Sequence, residues 1–123
     1  MQRVRVLNST RGTCLATDAE IASSFIAKFV GLMLRKNLAD GSGLVIMSGE
    51  PIHMFFMRFA LDVIHTNQQG VVLRILHGIK PWRLGPFVRK CRMAIELPAG
   101  TAARTGTVVG DVIVLEDIQP PVP

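Results

Sequence analysis

At 123 residues the chain has the size of an ordinary domain, long enough to bury a core without a disulfide or a structural metal. Its 49% hydrophobic and 19% charged residues exclude a disordered chain, and no apolar run nears the roughly 20 residues of a membrane helix. The net charge of +5 is unevenly spread: no Asp or Glu occurs between Asp62 and Glu96, a stretch that carries Arg74, Lys80, Arg83, Arg89, Lys90 and Arg92.

The chain opens on Arg3, Val4, Arg5, Val6 and Leu7, whose alternation predicts a half-buried strand, and a turn follows over 8–12. Thr17 and Glu20 have the spacing of a capping box, and Ile21, Phe25 and Phe29 then recur every fourth residue. This pattern predicts a helix over Asp18–Phe29, ended by Gly31. From Gly43 to Ser48 and from Met54 to Met57 the pattern turns β-like. Leu61–Thr66 and Val71–Leu76, separated by Asn67, Gln68, Gln69 and Gly70, predict a hairpin. Cys91, Met93, Ile95 and Leu97 alternate with Lys90, Arg92, Ala94 and Glu96, as in a strand with one buried and one wet face, and Pro98 stops the run. Val112–Leu115 forms the last strand. The chain is read as one β-rich domain over 1–118 and a loose, Pro-rich tail over 119–123. The expected class is mainly β (α+β): a small curled antiparallel sheet or barrel, with the one helix of the N-terminal half packed on it.

The motifs that carry chemistry elsewhere are sparse. Gly110 and Asp111 before the last strand have the form of a turn in which the carboxylate caps free amides, a structural role. His53, His65 and His77 lack a close second ligand, so no metal and no cofactor are expected, and the methionines beside His53 read as core packing. Cys14 and Cys91 are too far apart for a Cys-x-x-Cys motif and read as reduced packing residues. The N-terminus lacks the apolar core of a secretory signal, so a cytoplasmic location is expected. No serine triad and no phosphate loop is present.

Five separated blocks remain: Gly31 to Arg35, Gly43–Leu44, Ile52 to Val63, Pro81–Trp82–Arg83, and Ile95 to Ala102. In this order they resemble the signature of the prokaryotic "domain of unknown function 192" family, over nearly the whole chain. Departures are Ala60, where the family has Pro, and His65, Thr66 and Asn67. The resemblance implies a compact β-rich domain, and no activity or cofactor comes with it.

Inside these apolar blocks sit Arg35, Phe56, Arg58, Asp62, Trp82 and Glu96, the candidate ligand-binding residues. Two readings stand open. In one, the charges form a buried ion-pair network, because charges near a core must be paired. In the other they line a site where an Arg fork takes a carboxylate or phosphate and Trp82 or Phe56 offers a stacking face. The expected function is a non-catalytic binding module for a small anionic ligand, a peptide or another protein partner, with weak non-specific attraction to polyanions and no membrane partner. Alternatives are a nucleic-acid binder using the basic stretch 63–95 with Trp82 and Phe87, and a hydrolase with Asp62 or Glu96 as general base.

Overall fold

The computed structural model describes residues 2–22, 38–52, 54 and 58–118. Among them are seven strands: β1 (Arg3–Asn8), β2 (Thr13–Ala22), β3 (Ser42–Ile46), β4 (Leu61–Thr66), β5 (Val72–Ile79), β6 (Met93–Pro98) and β7 (Ile113–Asp117). A single helical turn, α1 (Thr101–Arg104), follows β6. The strands form one sheet in the order β5-β4-β6-β3-β2-β1-β7, antiparallel except for the β2–β3 pair.

The sheet curls until its two edges touch. Val71 bridges Val112, and the amides of Val72 and Ile113 donate across the seam to Asp111 and Gly70, each at 2.8 Å. Gly70 is required there, since its φ is +83° and a Cβ would lie 2.3 Å from the Ile113 carbonyl oxygen. The result is a curled half-barrel. Its interior is filled from all seven strands, by Val4, Leu15, Val45, Ile64, Val72, Ile95 and Ile113 among others.

A second core lies on the outer face of β3, β6 and β4. There Leu44, Leu61, Val63 and Ala94 pack with Leu38, Ile52 and Met54 from the connecting segments. With both faces covered, β4 and β6 are buried along their whole length. This corrects the wet face expected for β6. Arg92, just before the strand, is exposed, but Ala94 and Glu96 turn into the outer core.

The expected helix over Asp18–Phe29 is not formed in its described part. Residues Asp18 to Ala22 continue β2 and pair in parallel with Ser42 to Ile46, and 23–37 lie outside the described residues. Cross-strand groups claim the partners of the capping box: the Thr17 hydroxyl and the amides of Thr17 and Asp18 donate to Gly41 O, while Glu20 accepts from Arg3. Sheet pairing overrides the local helical period. The Pro-rich tail and most of the expected strand from Met54 to Met57 also fall outside the described residues.

Candidate functional site

Asp62 and Glu96 are neighbours in the sheet but belong to opposite faces. Asp62 is registered with Leu97, whose side chain is part of the barrel interior, whereas Glu96 is registered with Val63 and Leu44 of the outer core. Alternation across the pleat therefore separates the two carboxyls. They do not form one site.

Asp62 is occupied by backbone. Its Oδ1 accepts from Gly78 N at 2.9 Å, and its Oδ2 accepts from Gly100 N at 3.1 Å and Ala102 N at 2.9 Å. Gly100 begins α1 and has no side chain with which to cap it, so the distant carboxylate serves as the cap. Gly78 sits in the left-handed region at φ 61° and presents its amide to the same group. Asp62 thus ties β4 to β5 and to the α1 turn.

Glu96 has a different environment. It lies buried between Leu44 and Val63, and this burial pushes its carboxyl up to about 7. Arg58, expected to be sheltered near it, is exposed, and Arg35 and Phe56 lie outside the described residues. Among the described residues, the salt bridges join Arg3, Arg5 and Arg11 to carboxylates around β1, so the expected ion-pair network does not assemble from Arg58, Asp62 and Glu96.

The register also creates a pair that sequence spacing hides. His65 of β4 and Cys91, just before β6, come together with Sγ 3.5 Å from Nδ1, while His65 Nε2 is buried without a partner. Burial raises the Cys91 thiol above its usual range, and burial together with Arg74 lowers the His65 imidazole. Both shifts favour the neutral thiol and imidazole, opposite to the activated thiolate of a cysteine nucleophile. Cys14 is exposed, contrary to the packing role expected of it, and both cysteines are free. No group of three His, Cys, Asp or Glu side chains suited to a metal occurs among the described residues. Asp111 has the structural role expected of it: it accepts from Asn8, Arg11 and the Val108 amide at 3.0–3.1 Å, and these contacts hold its carboxyl down at about 2.

The remaining candidate, Trp82, stands in a loop built to present it. The 80–92 loop is anchored at one end by Trp82 N to Met54 O and Met54 N to Arg83 O, both 2.7 Å, and by Gly85 N to Ile52 O at 2.8 Å. At the other end Arg92 N donates to Thr66 O at 2.8 Å. Trp82 and Lys90 adopt left-handed backbone conformations, at φ 64° and 67°, which residues other than Gly seldom take. Trp82, Leu84 and Phe87 are 59%, 68% and 72% exposed. Lys80, Arg83, Arg89, Lys90 and Arg92 are exposed in the same loop, as is Arg74 on β5. Of the six sequence candidates, the structure therefore places Trp82 in an exposed basic surface and divides Asp62 from Glu96. Leu84 is not legible as a surface residue from sequence, because a lone Leu between Arg83 and Gly85 has no periodic signal of its own.

The chain is similar to several known proteins. A UPF0127 protein of Pyrococcus furiosus is 34% identical over 109 residues, covering 86% of this chain and 93% of its own. A UPF0127 protein of Thermococcus sibiricus is 30% identical over 112 residues, covering 88% and 72%. Among solved structures, a protein of unknown function from Novosphingobium aromaticivorans superposes with a TM-score of 0.79 at 24% identity, over 91% of this chain and 83% of that one. A Sinorhizobium meliloti protein described as a "putative transcription regulator" gives 0.78 at 25% identity, over 93% and 92%. The family model DUF192, described as Uncharacterized ACR, matches residues 6–115. The chain belongs to the DUF192 family.

Proposed function

We propose that this protein is a non-catalytic binding module that takes an anionic partner on the 80–92 loop. The observation that carries the reading is the loop itself: exposed Trp82 and Phe87 among exposed Lys80, Arg83, Arg89, Lys90 and Arg92, in a stretch without a single acid. Cations so placed attract a polyanion over a Debye length, and the rings supply short-range contact once it arrives. The description "putative transcription regulator" carried by the structurally similar Sinorhizobium meliloti protein is in keeping with nucleic acid as one such partner.

The hydrolase alternative has less support. The Asp62 oxygens already accept three amides, and Glu96 faces an apolar core on the other side of the sheet. A general base needs a reachable proton and an orienting partner, which neither environment provides.

The chain contains one tryptophan, so Trp82 reports on its own loop. Titration with heparin or a mixed-sequence single-stranded oligonucleotide at low salt is expected to change Trp82 emission, with affinity falling as salt rises. The triple variant Arg83→Gln, Arg89→Gln, Lys90→Gln should flatten the plot of log affinity against log salt by about one for each phosphate no longer neutralised. An emission spectrum indifferent to both polyanions at low salt would overturn the reading.

A further inference from the structure

We infer, against the absence of a membrane partner expected from the sequence, that the anionic partner of the 80–92 loop is the surface of an anionic phospholipid bilayer, with Leu84 and Phe87 entering the acyl region and Trp82 resting at headgroup depth. The inference rests on the anionic-partner reading of the same loop and names the partner class. Charge alone suits any polyanion, so the apolar side chains decide. Trp82 and Phe87 could each stack on a base, but Leu84 is nearly as exposed as Phe87 and has no flat face to offer. Against a bilayer all three have a use: Trp prefers the headgroup boundary, and Leu and Phe gain by leaving water for hydrocarbon.

The cations suit the same partner. Lys80 and Arg83 flank Trp82, Arg89 and Lys90 follow Phe87, and no carboxylate lies within the loop to repel anionic headgroups. Exposed apolar residues interleaved along the loop with exposed Lys and Arg combine two weak membrane signals into one stable attachment, since either alone binds only marginally. The loop is also organised beforehand. Hydrogen bonds to Ile52 and Met54 at its root and to Thr66 at its far end fix its path, so little ordering entropy is lost on docking. No helix among the described residues is long and apolar enough to cross a membrane, and none is required for attachment of this kind.

The test uses the full chain with vesicles of phosphatidylcholine, with and without phosphatidylserine. With phosphatidylserine present, Trp82 emission should shift to the blue and be quenched by lipid brominated on its acyl chains, and both effects should fade with salt. The double variant Leu84→Ser, Phe87→Ser should bind vesicles at least about tenfold more weakly while keeping its affinity for heparin and oligonucleotide. Both positions are exposed, so the variant should melt with the parent; Leu84→Asn alone provides a second, milder substitution should the double variant fail to fold. Binding to heparin or oligonucleotide without a blue shift on phosphatidylserine vesicles would overturn the bilayer inference and leave the anionic-partner reading standing. An equal fall in oligonucleotide and vesicle affinity in the double variant would also overturn it, in favour of nucleic acid. Failure to respond to any of the three anions would remove both.

Discussion

Glu96 is a carboxyl whose ionisation opposes folding. In the unfolded chain it titrates near 4.5, and in the folded chain near 7, so between those values the folded state holds a proton that the unfolded state has released. Its contribution to stability therefore falls as pH rises through this window, and the full cost persists above it. Replacing Glu96 by Gln should leave stability nearly unchanged at about pH 4 and raise it at about pH 8 by up to about 3 kcal/mol, read from urea unfolding at the two values. Asp62 is instead held by backbone donors. Asp62→Asn leaves one acceptor oxygen and a new donor facing the amides of Gly78, Gly100 and Ala102, and should cost about 3 kcal/mol in the same assay. Arg58→Met, at an exposed position, should change stability by no more than about 0.5 kcal/mol. The sequence marks Asp62 and Glu96 as unusual because both interrupt apolar runs, yet it cannot show that they face apart. That depends on the β4–β6 register, which pairs Asp62 with Leu97 and leaves Glu96 opposite Val63.

Elements closed by local chemistry are the most legible. The hairpin of β4 and β5 follows from two apolar runs around Asn67 to Gly70, where the Asn67 side chain accepts the amides of Gln69 and Val71. Strand β1 follows from the alternation of Arg3 to Leu7, and β7 from the apolar run after Asp111. Strand β2 defeats a local reading, because Thr17 and Glu20 carry a helical signal whose donors and acceptors the fold assigns to Gly41 and Arg3. The α1 turn is invisible for a related reason, since its cap comes from Asp62, distant in sequence. Close approaches between elements give a further prediction. A Cβ on Gly49 would stand 2.3 Å from the Cys91 carbonyl oxygen, and one on Gly70 equally near that of Ile113. Either Gly→Ala change should destabilise by at least about 2 kcal/mol in thermal or urea melts, with Gly70 worse because its φ is also positive.

For the whole molecule, Glu96 and Asp111 act on opposite limbs of the stability profile. The Arg11 guanidinium, Asn8 and the Val108 amide hold Asp111 near 2 in the folded state against 3.8 unfolded, so its contribution is present above about 4 and lost as pH falls toward 2. Glu96 removes stability on the other side, from 4.5 upward to about 7. Between 4.5 and 6.5 the buried His65 imidazole, lowered in the folded state, opposes Glu96, because the unfolded chain takes up a proton there that the folded chain resists. The part due to each carboxyl is therefore read by comparing the melting temperature of its variant with that of the parent across pH. Glu96→Gln should flatten the alkaline limb, and Asp111→Asn the acid one. A second whole-molecule property lies in the seam at Val71 and Val112. Strands β4 and β6 are paired along their entire length and buried on both faces, whereas among the described residues the β5 and β7 edges meet where Val72, Gly110 and Ile113 donate across the gap. The barrel therefore has a preferred line of parting. In native-state hydrogen exchange, the amides of Val72, Gly110 and Ile113 should trade deuterium through a low-energy opening of that line, while those of Ile64 and Ile95 wait for global unfolding.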